Sequence, residues 1–151
     1  MSDADPVVTL TWRFDVPPKD VFRAWIEPEW LVRWLFPSRD VRMQIEAFDP
    51  RPGGAYRYRF HGSDGGSDVV LGRFLAIEEP NRLIFTWSWA PPDPDAGVET
   101  QVRVDLAPDR RGTRLVLRHE RLPSARRREE HQTGWTGALT HLGESLSGAT
   151  A

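Results

Sequence analysis

Cysteine is absent from this chain of 151 residues, so disulfide bonds, thiol nucleophiles and cysteine-ligated zinc or iron–sulfur sites are excluded. An excess of positive charge is also missing, because 20 basic residues face 22 acidic ones, and this balance argues against nucleic-acid and anionic-membrane partners. No apolar run is long enough to span a membrane, and the N-terminus, MSDADPVV, lacks the basic and apolar segments of a secretory signal. We therefore expect a soluble, cytoplasmic protein.

Common catalytic motifs are missing as well. The four histidines, at positions 61, 119, 131 and 141, form neither an HExxH pair nor another spacing typical of zinc ligands. The sequence also lacks GxGxxG, GxxxxGK[ST] and GxSxG. Nucleotide binding and serine hydrolysis are therefore disfavoured, and we expect no metal and no cofactor.

Aromatic surface is what the chain has in quantity, with 7 tryptophans and 7 phenylalanines in a hydrophobic content of 39%. This content suffices for a core, and the length fits one domain, 1–151, with an ordered part of about 7–147 and disordered tails at 1–6 and 148–151. Tryptophan fills cores but also lines binding pockets, because it joins a large apolar body to one N–H donor. The tryptophans are therefore the first candidates for a functional site.

Hydrophobic periodicity predicts the order of the elements. Alternation over 8–16 indicates a half-buried strand, and apolar residues at helical spacing then indicate two short amphipathic helices separated by Pro28. Six strands separated by turn residues follow, at 41–48, 55–61, 69–77, 82–90, 98–106 and 113–120. Alternation places on their inner face Met43, Ile45, Tyr56, Tyr58, Phe60, Val102, Val104, Leu115, Leu117 and His119, with most arginines outward.

The last element is a long helix from about Ser124 to about Leu146. Its apolar stripe comprises Trp135, Ala138, Leu139, Leu142 and Leu146. Ser124 is the predicted N-cap, Gly148 the predicted end, and the arginines at 126–128 are interpreted as solvated first turns. One antiparallel sheet with an apolar face and three helices to cover it predict a two-layer α+β domain. A strongly curved sheet around one long helix would leave room between them.

Several local strings occur in the order found in a known family. They are Val21-Phe22-Arg23-Ala24-Trp25, Pro28-Glu29, Trp34, Arg51-Pro52-Gly53-Gly54, Gly72, Ile77, Pro80-Asn81-Arg82-Leu83, Phe85-Thr86-Trp87, Glu99-Thr100-Gln101-Val102, Gly112-Thr113-Arg114-Leu115, His119, His131, Gly134-Trp135 and Leu139. Over nearly its whole length the chain resembles the family related to the C-terminal domain of the activator of heat-shock protein 90 ATPase, within the START-like helix-grip (SRPBCC) superfamily. The resemblance implies a helix-grip fold, with a curved antiparallel sheet of about seven strands around a long C-terminal helix, and a deep, mainly apolar cavity.

The resemblance does not imply one activity, since the superfamily includes lipid carriers, hormone receptors and polyketide cyclases. The resemblance only weakly favours chaperone activation as a function, because the domain that precedes this one in the co-activator is absent from the sequence. Function must therefore be argued from the cavity.

The predicted cavity residues come from the inner face and from the helix stripe. Phe85, Trp87 and Trp89 form an aromatic strip on one strand, and the remaining candidates are Tyr56, Tyr58, Phe60 and Trp135 for the walls, with His119 and His131 for polar contacts. The competing interpretation is that the aromatic residues are ordinary core and the histidines ordinary buried or rim residues. No inward carboxylate is identified, and the catalytic residues stay unknown.

Three hypotheses follow. The first is a non-enzymatic protein that binds a hydrophobic or aromatic small molecule between sheet and long helix. The second is an enzyme of the polyketide cyclase or dehydratase type, in which His119 or a tyrosine moves a proton. The third is an interaction module with a chaperone partner, and homodimerisation is left open.

Overall fold

The structure, a computed structural model, describes residues 6–149 and forms ten elements. In chain order they are β1 (Val8–Phe14), α1 (Pro18–Ile26), α2 (Pro28–Leu31), β2 (Arg42–Phe48), β3 (Ala55–His61), β4 (Ser67–Glu78), β5 (Arg82–Trp89), β6 (Thr100–Asp109), β7 (Gly112–Glu120) and α3 (Ala125–Ala149). This is the predicted order. The disorder predicted for 1–5 and 150–151 lies outside the described residues.

The seven strands form one curved antiparallel sheet in the order β1-β7-β6-β5-β4-β3-β2. Strands β2 to β7 therefore make a meander, and β1 extends the sheet by pairing with β7, with Val8 opposite His119. Register shifts between Ile45 and Ala47 in β2 and between Phe74 and Ala76 in β4 interrupt the ladders. Such bulges increase local bending and twist, which suits a sheet that has to wrap a helix.

The alternation of side chains decides which face of the sheet is buried. Leu115, Leu117 and Val102 are completely buried, as predicted for the inner face. On the outer face several arginines are paired with acids. For example, the carboxylate of Glu46 accepts from Arg59 and Arg57, and these bonds lower the pKa of Glu46. These exposed pairs add little stability, because solvent screens them.

The short helices fill one end of the space between sheet and α3. Helix α1 buries Val21, Phe22 and Trp25, while α2 has only four residues before the chain turns. Trp34 follows α2, is completely buried and donates its indole N–H to the carbonyl of Ala24 at 2.9 Å. Pro28 is the first residue of α2 rather than a spacer, because a proline at this position lacks only an N–H that the helix would leave unpaired.

Helix α3 buries its predicted stripe, from Trp135 to Leu146, against the sheet. The hydroxyl of Ser124 accepts from the backbone N–H of Arg127 at 3.2 Å, which confirms the predicted N-cap. The predicted end at Gly148 is one residue early, because the helix continues to Ala149. Residue 148 is thus helical, although disorder was predicted there.

Candidate functional site

A cavity of about 230 Å³ opens between the inner face of the sheet, the first half of α3 and the segment of residues 35–41. Its walls are mainly apolar and aromatic. They comprise Leu35, Phe36, Pro37, Val41, Phe60, Gly62, Asp68, Trp87, Trp89, Arg127, Glu130, His131, Gly134, Trp135 and Ala138. Pro37, Asp68 and Glu130 in this wall are solvent-exposed, so the cavity reaches solvent on that side.

Small residues on α3 make the space. Gly134 and Ala138, one turn apart, contribute almost no side-chain volume to the helical wall. Gly137 lies so close to the segment 35–41 that an added Cβ atom would come within 2.0 Å of the Pro37 carbonyl oxygen. The absence of a side chain at Gly137 therefore lets this segment pack directly on α3.

Polar contacts also connect the segment 35–41 to α3. The ring Nδ1 of His141 lies 3.0 Å from the carbonyl oxygen of Phe36, to which it can donate its proton. The guanidinium of Arg39 reaches the carboxylate of Glu144 at 2.6 Å. These contacts connect the outer wall of the cavity to α3.

The aromatic strip on β5 runs from the core into the cavity. Ring centroids are 6.4 Å apart between Phe85 and Trp87 and 5.9 Å apart between Trp87 and Trp89. Trp87 also lies 5.2 Å from Trp135 on α3, so sheet and helix meet at this pair. Trp87 and Trp89 line the cavity, whereas Phe85 does not.

His119 is completely buried behind the wall, and a chain of hydrogen bonds occupies both of its ring nitrogens. The indole N–H of Trp135 donates to Nδ1 at 3.0 Å, and Nε2 lies 2.7 Å from the hydroxyl of Thr100. Because the indole can only donate, Nδ1 is the acceptor and the proton of the neutral ring is on Nε2. The Nε2–H group donates a hydrogen bond to the hydroxyl of Thr100, and that hydroxyl donates to the Trp87 carbonyl at 2.6 Å. Burial, and secondarily His131, hold the pKa of His119 well below its usual value.

His131 lies in the wall and is held in the opposite tautomer. The indole N–H of Trp89 donates to its Nε2 at 3.1 Å, and its Nδ1 donates to the carbonyl of Arg127 at 2.6 Å. Burial lowers the pKa of His131, and the charge of Arg127 acts in the same direction, against the favourable hydrogen bond to the Arg127 carbonyl. Both histidines are therefore neutral, and their rings meet edge to face with centroids 4.9 Å apart.

Arg127 is not part of a solvated first turn, as the sequence suggested. Its side chain is 11% exposed and is surrounded by carboxylates: Asp93 at 3.2 Å, Asp95 at 3.0 Å and Glu130 at 3.0 Å. Its guanidinium also lies 5.8 Å from the ring centroid of Trp89. The acidic loop 90–97 folds over the start of α3, and these contacts explain why an arginine is accepted there despite the helix dipole.

One indole in the wall has no partner. Trp87 is 5% exposed, and its N–H makes no hydrogen bond with any described residue. The indole N–H of Trp25 is in the same condition, but Trp25 lies in the core and does not line the cavity.

The structure brings five of the predicted site residues to the cavity wall: Phe60, Trp87, Trp89, His131 and Trp135. The other four, Tyr56, Tyr58, Phe85 and His119, are buried in the core and do not line it. The hydroxyl of Tyr56 donates to the Thr86 carbonyl, so its buried polar atom is satisfied inside the protein. Burial raises the pKa of both tyrosines, that of Tyr56 with a smaller contribution from Tyr58.

Residues of the segment 35–41 and small residues of α3 line the cavity, but they were not among the predicted site residues. The second short helix was predicted on the string EWLVRWLFP, residues 29–37, which includes Phe36 and Pro37, whereas α2 ends at Leu31. Small residues at positions 134, 137 and 138 of an otherwise apolar stripe were the available signal, because such residues allow close approach or leave space.

Other depressions suit a ligand less well. A groove of about 570 Å³ between β1 and the end of α3 is bordered by Arg13, Asp15 and Glu144, whose side chains are 39%, 90% and 51% exposed. Its charged groups stay hydrated, and a ligand there would have to displace that water. Within residues 6–149, three or more histidine or carboxylate side chains do not converge on a metal site. None of the helices described is both long and apolar enough to cross a membrane.

A curved antiparallel sheet, closed on a long C-terminal helix with a cavity between them, defines a helix-grip protein. The family model described as Activator of Hsp90 ATPase homolog 1-like protein matches residues 15–147. The chain therefore belongs to that family.

Solved structures agree with this assignment. A protein from Chromobacterium violaceum is 27% identical with a TM-score of 0.85, and the match covers 92% of this chain and 95% of the other. An AHSA1 protein from Silicibacter pomeroyi is 25% identical with a TM-score of 0.83, covering 93% of this chain and 97% of the other. The comparison with curated proteins gave no match.

Proposed function

We propose that this protein binds a hydrophobic, aromatic small molecule in the cavity between β5, α3 and the segment 35–41. The observation that carries the proposal is the wall itself, in which Trp87, Trp89 and Phe60 face Gly134 and Ala138 across about 230 Å³ of space. Sites for small molecules are typically concave, apolar and aromatic, with a few placed polar groups. This volume lies below the range of about 300–1,000 Å³ that is typical of sites for drug-sized molecules, so it suits a compact ring compound better than a long lipid.

Proton-transfer chemistry has less support. Both nitrogens of His119 are engaged and the ring does not line the cavity, while the hydroxyl of Tyr56 is directed to the Thr86 carbonyl. His131 does line the cavity, but its two nitrogens are also engaged. The arrangement thus supports binding better than catalysis of the cyclase type. A second copy of the chain or a chaperone as partner stays a prediction, since no described contact favours either.

The test is ligand capture with and without an open cavity. Wild-type protein is screened by native mass spectrometry and intrinsic tryptophan fluorescence against a library of lipids and aromatic compounds. Gly134→Leu adds a side chain to the cavity wall while improving helix propensity by about 1 kcal/mol, so it should abolish capture and keep the fold.

Gly134→Ala is the matched control, because its added methyl group meets only Pro37, at an ordinary 3.8 Å. We expect it to retain binding. A wild-type protein that captures nothing from the library, or capture that Gly134→Leu leaves unchanged, would refute the proposed site.

A further inference from the structure

A carboxylate, that of Asp68, lies on the inner face of the sheet at the cavity. Asp68 is opposite Phe60 in the antiparallel pairing of β4 with β3, so the two side chains share a face, and both residues line the cavity. The same alternation along β4 places Val70 and Phe74 on this face, where both are buried. The strand was predicted to begin at residue 69, which left Asp68 in the preceding turn, and no inward carboxylate was therefore identified from the sequence.

The position of Asp68 sets it apart from other acids of the sheet. Glu46, Asp105 and Glu120 lie on the outer face, and each accepts a hydrogen bond from an arginine. The carboxylate of Asp68 makes no hydrogen bond or ion pair within residues 6–149, and it is exposed, so a ligand can reach it. An inward charge can protect a sheet edge from pairing with another chain, but β4 lies between β3 and β5. Edge protection therefore does not explain Asp68.

Aromatic ring faces lie close to this carboxylate. Phe60, the cross-strand neighbour of Asp68, forms a tilted pair with Trp89, with ring centroids 6.2 Å apart and an angle of 50° between the planes. Both rings line the cavity and are only half-buried. The face of an aromatic ring attracts a cation that lies within about 6 Å of its centroid. The wall thus offers a cation a carboxylate and two ring faces together.

The charges around the cavity also favour a cation. Arg127 carries the only guanidinium or ammonium group among the described residues of the lining, and Asp93, Asp95 and Glu130 are paired with it. One further arginine is paired with Glu130, so with Asp68 four carboxylates face two guanidinium groups. An anionic ligand would meet this negative field without an unpaired cation in the wall, whereas a cationic ligand would be attracted.

From these observations we infer that the ligand is a compact arylalkylamine, whose ring lies in the cavity and whose ammonium group binds at the mouth between the carboxylate of Asp68 and the rings of Phe60 and Trp89. The inference rests on the proposed function, and it adds the charged group that orients the ligand. An exposed carboxylate alone holds an ammonium group weakly, because solvent screens the pair. Here the ring faces and the apolar wall contribute at the same time, so affinity depends on the combination.

Three probes with the same ring and side chains of similar length test the inference: phenylethylamine, phenylethanol and phenylacetate. At neutral pH they carry an ammonium group, an uncharged hydroxyl and a carboxylate, respectively. Affinities are measured by isothermal titration calorimetry at low and at high NaCl concentration. The wild-type protein should bind phenylethylamine most tightly and phenylacetate most weakly. Added salt should reduce the advantage of phenylethylamine over phenylethanol, because ions screen an exposed charge pair.

Asp68→Asn keeps the shape of the side chain and removes its charge. It should weaken phenylethylamine binding about 3- to 10-fold, whereas phenylethanol, which needs no opposite charge, should lose much less affinity. The order of the three affinities in the wild-type protein tests the inference even if this variant does not fold.

Glu79→Gln is the matched control. It removes the same charge from an exposed acid that follows the other end of β4 and does not line the cavity. It should leave the affinity for every probe unchanged. Gly134→Leu, which adds a side chain to the cavity wall, should abolish the binding of phenylethylamine and of phenylethanol alike.

The possible failures are distinguishable. If none of the probes binds wild-type protein, the proposed cavity function fails with the inference. If phenylethanol binds as tightly as phenylethylamine, or if Asp68→Asn weakens both equally or neither, the cavity stands and the inference is overturned. Phenylethylamine binding that survives Gly134→Leu would show an ammonium group held at the surface without the cavity, and it would also overturn the inference.

Discussion

The space between the sheet and α3 has two ends that are built from the same kinds of residue and yet differ. At the core end, Trp34 and Tyr56 are 0% and 2% exposed and the aromatic rings are closely packed. At the cavity end, Trp89 and Phe60 are only half-buried and border an open volume. The inner face of the sheet is aromatic at both ends, so its residue composition does not explain why only one end has a cavity.

The difference lies in what faces the sheet. Helix α1 and the turn after α2 insert Trp25 and Trp34 at the core end, where Trp25 lies 6.3 Å from Phe85 and 6.0 Å from Trp135. At the cavity end α3 presents Gly134 and Ala138, and the segment 35–41 spans the gap without filling it. A cavity in this fold is therefore made by small residues opposite an aromatic strip, and by a segment held away from it.

Truncating a core-end tryptophan should give the largest effect. Trp34→Ala removes a completely buried ring and its hydrogen bond to the Ala24 carbonyl, so it should lower the free energy of unfolding by about 3–5 kcal/mol in urea denaturation. Trp89→Ala, at the cavity end, should cost less because part of that ring already faces solvent or open space. Equal losses at both positions would contradict the distinction between the two ends.

The contact between α3 and the segment 35–41 should give the next effect. Gly137→Ala places a methyl group within 2.0 Å of the Pro37 carbonyl oxygen, and backbone has to move to admit it. We expect a loss of about 1–3 kcal/mol of unfolding free energy, measured in urea.

The same substitution should disturb the outer wall of the cavity, which the Phe36 and Pro37 resonances would report in NMR spectra. A Gly137→Ala protein as stable as the wild type would show that the segment is not packed against the helix as described.

The fold could be predicted from the sequence because its signals are local. Alternation over residues 55–61 and 113–120 fixes the inner face of β3 and β7, and the stripe ending at Leu146 fixes the buried side of α3. The family resemblance added the helix-grip arrangement, a curved sheet around the long helix. All of these features depend on patterns within one element or on the order of elements.

The site could be predicted only in part, because alternation tells which face a residue lies on but not what lies opposite. Tyr56 and Trp87 share the inner face, yet one meets the core and the other the cavity. Arg127 belonged to a run of three arginines that looked solvated, and only the folding of loop 90–97 brings Asp93 and Asp95 to it. Long-range contacts of this kind leave no periodic signal.

The buried histidine network should make stability depend on pH. In the unfolded chain His119 gains a proton near pH 6.5, whereas in the folded protein its pKa is well below that value. The unfolded state thus binds more protons below about pH 6.5, and the free energy of unfolding should fall there by up to about 1.4 kcal/mol per pH unit for each such histidine.

His119→Gln tests this expectation, because glutamine keeps a donor and an acceptor but cannot gain a proton. Between about pH 6.5 and 5 its unfolding free energy should change less than that of the wild type, in urea denaturation at matched ionic strength. The remaining slope should come from His131, whose pKa is also lowered, and from carboxylates. Identical slopes for the two proteins would contradict a neutral, buried His119.

Gly134→Ala should change stability least, because the cavity end has space for the added methyl group. Gly134→Ala places a methyl group where only Pro37 is near, at 3.8 Å, and it removes the conformational freedom of a glycine inside a helix. It should therefore raise the free energy of unfolding by about 0.4–1 kcal/mol, seen as a higher urea midpoint with an unchanged slope. The identical change three residues on, at Gly137, is expected to act with the opposite sign. If Gly134→Ala also destabilised the protein, the space beside that residue would be packed rather than open, and the cavity would lose its physical basis.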